Sequence, residues 1–323
     1  MNEAARHGMK TKTIKSIYRK KIDHWLASIE DEALRQLLSE NVIVTGGSIA
    51  SMLLGEKIND FDIYFRTYEA TLAAARYYLS RFEPRKREGI KVPLYIDLDE
   101  PGRIRIVVKS AGIASEEGTE KPYEYFEGSP DERAAAYVGE VITDPEQIED
   151  AHQETEQAAL NTENTKEEKK YRPIFITTNA ITLSGKVQII LRFYGEPDEI
   201  HANYDFVHCT NYWTSWNSEL VLRPAALEAL LSRTLLYVGS KYPICSVVRL
   251  RKFIERGWHV NAGQILKMAM QISALDLSDL KVLEDQLTGV DTAYFIQLIE
   301  RLKAKDPERV DAAYLVEIID RIF

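Results

Sequence analysis

The stretch Val42-Ile43-Val44-Thr45-Gly46-Gly47-Ser48, followed shortly by Asp60-Phe61-Asp62-Ile63-Tyr64-Phe65, decides the fold of this chain. Its first four residues are all β-branched, which predicts a short buried strand that breaks at the Gly-Gly-Ser turn. The run that follows favours a helix ending at Gly55, because glycine is the residue that most often follows a helix C-terminus. A second apolar strand is then predicted, and it carries both aspartates.

The two aspartates define a candidate metal site. Side chains two positions apart on a strand point to the same face, so the carboxylates of Asp60 and Asp62 converge. Converging carboxylates repel each other unless a cation lies between them, and Mg²⁺ prefers such oxygen ligands. Gly46 and Gly47 allow backbone N–H groups to approach a phosphate closely at a helix N-terminus. The pattern therefore predicts a site for a metal–triphosphate complex; a plain strand–turn–helix with solvated aspartates is the alternative.

The bulk composition indicates a globular protein of about two domains. The chain has 323 residues, 45% of them hydrophobic, and no apolar run approaches the length of a membrane span. The N-terminus lacks the apolar core of a secretion signal, and Cys209 and Cys245 form neither a metal-type spacing nor a disulfide framework. We therefore expect a cytoplasmic protein with no membrane partner.

Negative charge is concentrated in one segment. Residues 111–170 contain 17 acidic and 5 basic residues, a local charge of −12, so the overall charge of −9 leaves +3 for the rest of the chain. The segment has little apolar periodicity and is interpreted as an insertion, by default a solvated loop; an arm that binds a protein partner or mimics nucleic acid is the alternative. Because the remainder is mildly basic, net charge does not exclude an RNA partner.

The order of predicted elements gives an α+β fold with three parts. Residues 1–40 show helical periodicity, residues 41–216 contain the predicted strands together with the insertion 111–170, and residues 217–323 are predicted to be helical throughout. Helices are expected at 67–82, 224–232, 244–256, 262–273, 278–287, 293–303 and 308–322. Strands are expected at 94–98, 104–108, 174–177, 180–183 and 187–193, the last two as a hairpin around Ser184-Gly185.

A Gly-Gly-Ser turn with an Asp-x-Asp strand about a dozen residues later resembles the signature of the polymerase-β-like nucleotidyltransferases. The form here, GGSIASMLLGEKINDFDIYF, is most similar to the branch of class II tRNA nucleotidyltransferases and bacterial poly(A) polymerases. The acidic insertion also resembles nucleotidyltransferase-like proteins of bacteriophages. The resemblance implies a mixed sheet with flanking helices, followed by an all-α C-terminal domain.

Two further stretches resemble the same branch in the same order. Asp205-Phe206 is similar to the second half of the family's Arg-Arg-Asp-Phe motif, and SVVRLRKFIERGW is similar to its neck helix. The resemblance implies that Asp60, Asp62 and Asp205 bind Mg²⁺ or Mn²⁺ and form the catalytic set. It implies further that Gly46, Gly47 and Ser48 hold the phosphates of an NTP, expected to be ATP, and that Arg249 and Lys252 reach the nucleotide or the acceptor.

The chain departs from this family at three places. Asn203-Tyr204 stands where the family has paired arginines, and residues 242–246 lack the element that reads the incoming base. Gln188 stands at the third acidic strand position, so we expect Asp205 to supply the third carboxylate; the alternative is that Asp205 contacts a ribose or caps a turn. The leading hypothesis is NMP transfer to an RNA 3′ hydroxyl, as in tRNA processing or tail addition. Transfer to a protein hydroxyl, and a non-catalytic nucleotide- or protein-binding module, stay open.

Overall fold

The computed structural model describes residues 8–82, 94–99, 101–108, 127–128, 171–279, 282 and 286. They belong to two compact units: the first contains the described residues up to 128 together with 171–200 and 211–222, and the second contains 201–210 and the residues from 223 onward. Most of the acidic insertion, much of the helix predicted at 278–287 and the two helices predicted after it lie outside the described residues. The predicted α+β class is confirmed, because a mixed sheet with flanking helices is followed by further helices.

An eight-stranded sheet forms the centre of the first unit. Its strands are β1 (Val42–Thr45), β2 (Phe61–Phe65), β5 (Glu127–Gly128), β6 (Pro173–Thr177), β7 (Ala180–Leu183), β8 (Val187–Ile190), β9 (Tyr212–Thr214) and β10 (Leu220–Val221). They lie in the order β10-β9-β1-β2-β8-β7-β6-β5, and β2 and β8 are parallel while the other neighbours are antiparallel. A separate two-stranded hairpin pairs β3 (Leu94–Asp97) with β4 (Arg105–Val108). The predicted hairpin at Ser184-Gly185 is confirmed, although β8 ends at Ile190 rather than at the predicted Phe193.

Four helices of at least two turns belong to the described part of the first unit: α1 (Thr11–Ala27), α2 (Glu32–Ser39), α3 (Gly47–Leu54) and α4 (Tyr68–Arg81). The short helix α5 (Pro197–His201) follows the sheet strand β8 in the chain. The buried face of α1 carries Ile14, Tyr18, Ile22 and Trp25, which recur at the three- and four-residue spacing of an amphipathic helix. All four belong to the same hydrophobic core as the inward-facing residues of β1 and β2. This packing places α1 against the two strands that carry the glycine turn and the aspartates.

The described part of the second unit is mainly helical. A short 3₁₀ turn (Val207–Cys209) precedes α6 (Pro224–Ser232), α7 (Pro243–Glu255) and α8 (Ala262–Ile272). Both α6 and α7 begin with proline, whose missing N–H would have no partner in a first turn. Among the described residues, we find no helix with both the length and the apolar character needed to cross a bilayer.

Candidate nucleotide and metal site

The glycine turn lies at the junction of β1 and α3. Gly46 has a φ of +91°, a backbone conformation that residues with a side chain rarely adopt, and Gly47 is the first residue of the helix. The N-cap residue is Gly46, which has no side chain of its own to cap the first turn of α3. First-turn N–H groups lack a partner within their helix and carry the positive end of its dipole. Gly47 is exposed, so this end of α3 can be approached by an anion.

The Asp62 carboxylate packs directly against the glycine turn. In the antiparallel register of β1 and β2, Thr45 lies opposite Asp62, which brings the aspartate beside the residue that precedes the turn. A Cβ atom added to Gly46 would lie 2.6 Å from Asp62 Oδ2, closer than real Cβ contacts permit. Glycine at position 46 therefore makes room for the carboxylate, in addition to providing the turn.

Asp60 immediately precedes β2, and its backbone neighbours are held by the β7–β8 turn. Phe61 N donates to the Lys186 carbonyl oxygen over 2.8 Å, and Lys186 Nζ donates to the Ile58 carbonyl oxygen over 3.2 Å. Asp60 and Asp62 are both half-buried; Asp62 lies within β2, whereas Asp60 is the residue before it. The structure thus brings Asp62 to the glycine turn, and the convergence of the two carboxylates on a metal ion stays a prediction.

Gln188 lies directly beside Asp62. The two residues are paired in the parallel register of β2 and β8, and Gln188 Nε2 donates to Thr182 Oγ1 over 3.5 Å. The third acidic position expected from the family pattern is therefore occupied in space, as in sequence, by a neutral amide. Among the described residues, no group of three or more His, Cys, Asp and Glu side chains has a geometry that would hold a metal ion.

The donor set nevertheless fits one class of metal complex. Mg²⁺ is commonly held by only one or two protein carboxylates, with water and the phosphates of a bound nucleotide completing its octahedral shell. Asp60 and Asp62 would supply two carboxylates, and the first turn of α3, which lies beside Asp62, would supply N–H donors for phosphate. These residues fit Mg²⁺ or Mn²⁺ that arrives with a triphosphate better than a resident ion enclosed by the protein.

Ser48 has a partner that the sequence did not reveal. Its hydroxyl lies 2.8 Å from the hydroxyl of Tyr18, and both residues are almost completely buried. The Tyr18 ring stacks on Trp213 with centroids 5.9 Å apart and meets Phe61 edge to face at the same centroid distance. Burial raises the pKa of Tyr18 well above that of a free phenol, the hydrogen bond between Tyr18 and Ser48 opposes this, and the negative charge of Asp62 raises the pKa further. Periodicity identified Tyr18 only as a core residue of α1.

The remaining predicted site residues lie in the second unit. Arg249 Nη1 donates to Asp205 Oδ2 over 2.6 Å in an ion pair that is more than three-quarters buried, and Asp205 Oδ1 accepts from Phe206 N over 3.1 Å. Lys252 is half-buried, three residues further along α7. The structure therefore brings Asp205 and Arg249 together, and the roles of Asp205 as a metal ligand and of Arg249 and Lys252 at the nucleotide stay predictions.

Two further groups of side chains have contacts that indicate a structural role. Asp97 is buried in an ion pair with Arg105 and accepts from Asp99 N, so this pair of aspartates forms a polar strand end. In the aromatic stretch that follows Tyr204, Phe206 and Trp213 are buried, which supports a packing role over the stacking of bases.

A profile of the Gabija anti-defense 2 family matches residues 16–233 of this sequence. The chain belongs to the Gabija anti-defense 2 family. The matched range of this family member spans Tyr18, the glycine turn, both strand aspartates, Gln188 and Asp205, whereas Arg249 and Lys252 follow it. No curated protein sequence matches the chain.

Solved structures of CCA-adding enzymes are similar to this Gabija anti-defense 2 family member at a low level. The Thermotoga maritima CCA-adding enzyme complexed with tRNA is 12% identical, with a TM-score of 0.37, over 88% of this chain and 55% of the enzyme. A CCA-adding enzyme in complex with CTP is 12% identical, with a TM-score of 0.40, over 94% of this chain and 56% of the enzyme. The Bacillus stearothermophilus CCA-adding enzyme in complex with CTP is 12% identical, with a TM-score of 0.34, over 90% of this chain and 52% of the enzyme. The chain thus spans little more than half the length of these enzymes. Similarity at this level does not transfer their activity or substrates to this chain.

Proposed function

We propose that this protein is a metal-dependent nucleotidyltransferase and that it uses this activity to counter the defence for which its family is named. The observation that carries the proposal is the contact between Gly46 and Asp62, which places a carboxylate of the Asp-x-Asp strand against the N-terminus of α3. A triphosphate and its metal need these two features side by side: N–H donors for phosphate oxygens and carboxylates for the cation. The polymerase-β-like superfamily, and its tRNA nucleotidyltransferase branch, are part of this proposal.

Each predicted site residue of the first unit has a role in the proposed reaction. Asp60 and Asp62 hold Mg²⁺ or Mn²⁺, and the amides of Gly46, Gly47 and Ser48 hold the phosphates of an NTP, with ATP the expected substrate. The bound metal would neutralise the triphosphate and stabilise the departing pyrophosphate. A hydroxyl oxygen of the acceptor attacks the α-phosphorus and its proton passes to water, the bond from that phosphorus to the bridging oxygen breaks, and pyrophosphate leaves with its electron pair. The protein's contribution is positioning and charge compensation rather than covalent chemistry.

For the second unit we keep the predicted roles of three residues: Asp205 as a metal ligand, and Arg249 and Lys252 at the nucleotide or the acceptor. Asp205 is the proposed third carboxylate, because Gln188 beside Asp62 is neutral. The domain boundaries near residues 40 and 216 are likewise part of the proposal.

The leading acceptor is an RNA 3′ hydroxyl, by resemblance to tRNA- and tail-extending enzymes. A protein hydroxyl is the second candidate, favoured by the residues at the start of α7. Tyr242, Pro243, Cys245 and Ser246 are buried there, so this segment offers no charged side chain to read a base. A counter-defence protein that modifies a protein needs no templated base choice, whereas an enzyme that builds a defined RNA end does. The acidic insertion 111–170 is the proposed surface for such a protein partner.

Labelled nucleotides separate these possibilities. The purified protein is incubated with Mg²⁺, each α-labelled NTP in turn, total RNA, and extract from cells that carry the Gabija defence, with Asp60→Asn/Asp62→Asn in parallel. Label that appears in RNA with wild type but not with the double variant supports RNA extension. In that case the binding of RNA to the protein should weaken steeply as the salt concentration rises. Label on protein, lost in the same variant, supports the second acceptor. Nucleotide binding without transfer to either would refute the enzymatic proposal in favour of a binding module.

A further inference from the structure

Ser48 belongs to the proposed phosphate-binding turn, yet its side chain is anchored from outside the motif. Tyr18 extends from α1, 30 residues earlier in the chain, and its hydroxyl lies 2.8 Å from Ser48 Oγ. The ring that carries this hydroxyl is fixed on two sides, stacked on Trp213 and edge-on to Phe61. Phe61 is the residue between the two strand aspartates, so one buried ring contacts both halves of the candidate site.

The direction of this hydrogen bond follows from chemistry. A phenol carries its proton at neutral pH because its ordinary pKa is about 10. Tyr18 is fully buried, so its proton needs an acceptor within the protein, and Ser48 Oγ is the acceptor that the described residues supply. When Tyr18 donates, Ser48 Oγ accepts, and the hydrogen of Ser48 is left to donate elsewhere. A phosphate at the N-terminus of α3 would be held by backbone N–H groups of the first turn, because the Ser48 side chain is buried.

We infer that Tyr18 is a positioning residue for the nucleotide: its hydrogen bond to Ser48 Oγ fixes the first turn of α3, so that the backbone N–H of Ser48 is held ready to donate to a phosphate oxygen. This inference rests on the proposed function. Tyr18 acts only through Ser48 and touches neither the nucleotide nor the metal. Its effect must therefore disappear when Ser48 has no hydroxyl.

A double-mutant cycle on nucleotide affinity tests the inference. The Kd of the Mg²⁺ complex of a non-hydrolysable ATP analogue is measured by calorimetry for wild type, Tyr18→Phe, Ser48→Ala and the double variant, together with KM and kcat of transfer. One neutral hydrogen bond is worth about 1 kcal/mol, so Tyr18→Phe and Ser48→Ala should each raise Kd and KM about fivefold. The change in kcat should be smaller, and the double variant should match Ser48→Ala because the two side chains act as one unit.

Tyr78→Phe is the matched control. Tyr78 is also buried in the first unit, and its hydroxyl accepts from Trp25 Nε1 over 2.8 Å, so its loss removes a hydrogen bond of the same length away from Ser48. It should lower the melting temperature by a similar amount to Tyr18→Phe and leave Kd unchanged. If Tyr18→Phe is too unstable to measure, Ser48→Ala breaks the same link without altering the buried ring.

The outcomes distinguish failure of the inference from failure of the proposed function on which it rests. If wild type binds the nucleotide and Tyr18→Phe or Ser48→Ala binds it with the same Kd, the inference alone is overturned. It is also overturned if the effects of the two substitutions on Kd multiply in the double variant. A wild-type protein that binds no Mg²⁺–nucleotide would overturn the proposed function together with the inference.

Discussion

Replacing Gly46 with alanine tests the geometry of the candidate site. An added Cβ would lie 2.6 Å from Asp62 Oδ2, whereas ordinary contacts begin at 3.4 Å, so the carboxylate would have to move by roughly 0.8 Å. The φ of +91° adds a backbone cost of about 1–2 kcal/mol for a residue with a side chain. A displacement of this size in a catalytic group can cost about 100-fold in rate. We therefore expect Gly46→Ala to lose about 1–2 kcal/mol of unfolding free energy and about 100-fold in nucleotidyl transfer.

Substitutions at two other glycines distinguish the effect of backbone strain from that of displacing the Asp62 carboxylate. Gly239 has a φ of +111° and nothing within 4 Å of an added Cβ, so Gly239→Ala should lose similar stability and keep its transfer rate. Gly47 is helical and also has open space, so Gly47→Ala should be nearly neutral for stability. Chemical denaturation gives the free energies, and transfer at saturating NTP gives the rates. Wild-type transfer by a destabilised Gly46→Ala variant would refute the reasoning, because the position of the Asp62 carboxylate would then be irrelevant.

Three further variants test the neighbouring chemistry. Gln188→Glu places a third carboxylate beside Asp62 and should lower the Mg²⁺ concentration for half-maximal transfer by about tenfold in a metal titration; an unchanged midpoint would contradict this. Burial lowers the pKa of His208 from 6.5 to about 4, so the unfolded chain binds the proton more tightly than the folded one. The contribution of neutral His208 to the unfolding free energy is therefore fully present above pH 6.5 and falls by up to about 3 kcal/mol as the pH drops to 4. The unfolding free energy of His208→Phe, measured by denaturation across this pH range, should lack that decrease. A pH profile identical to that of wild type would contradict the prediction. Arg249→Gln leaves the mostly buried Asp205 carboxylate without its cation and should lower unfolding free energy by about 1–3 kcal/mol, whereas an unchanged melting temperature would show the pair to be unimportant.

The core of the site could be predicted because it depends on local sequence. A β-branched run that breaks at paired glycines defines β1 and the start of α3, and the apolar run after Asp60 defines β2, which carries Asp62. Proline at a first turn located the start of α6, which spans the predicted Pro224–Ser232. In each case the signal lies within a few residues of the feature it determines.

Features that depend on tertiary pairing could not be predicted. The three residues of β9 pair with β1 in the centre of the sheet, but so short a run shows no recognisable period. The bond between Tyr18 and Ser48 joins residues on separate elements, and the sequence shows only that a tyrosine lies on the apolar face of α1. Local patterns contain no information about which distant residue a buried hydroxyl meets.

The most direct test asks whether the paired carboxylates are needed for counter-defence. Cells that carry the Gabija defence express wild type, Asp60→Asn/Asp62→Asn, or a control in which the exposed Asp23 and Glu32 are changed to Asn and Gln. Survival of an infecting agent that the defence blocks is then measured, with equal expression and melting temperature confirmed for each protein. Nucleotidyl transfer at this site predicts that wild type and control overcome the defence and that the double variant does not. Full counter-defence by the double variant would contradict it.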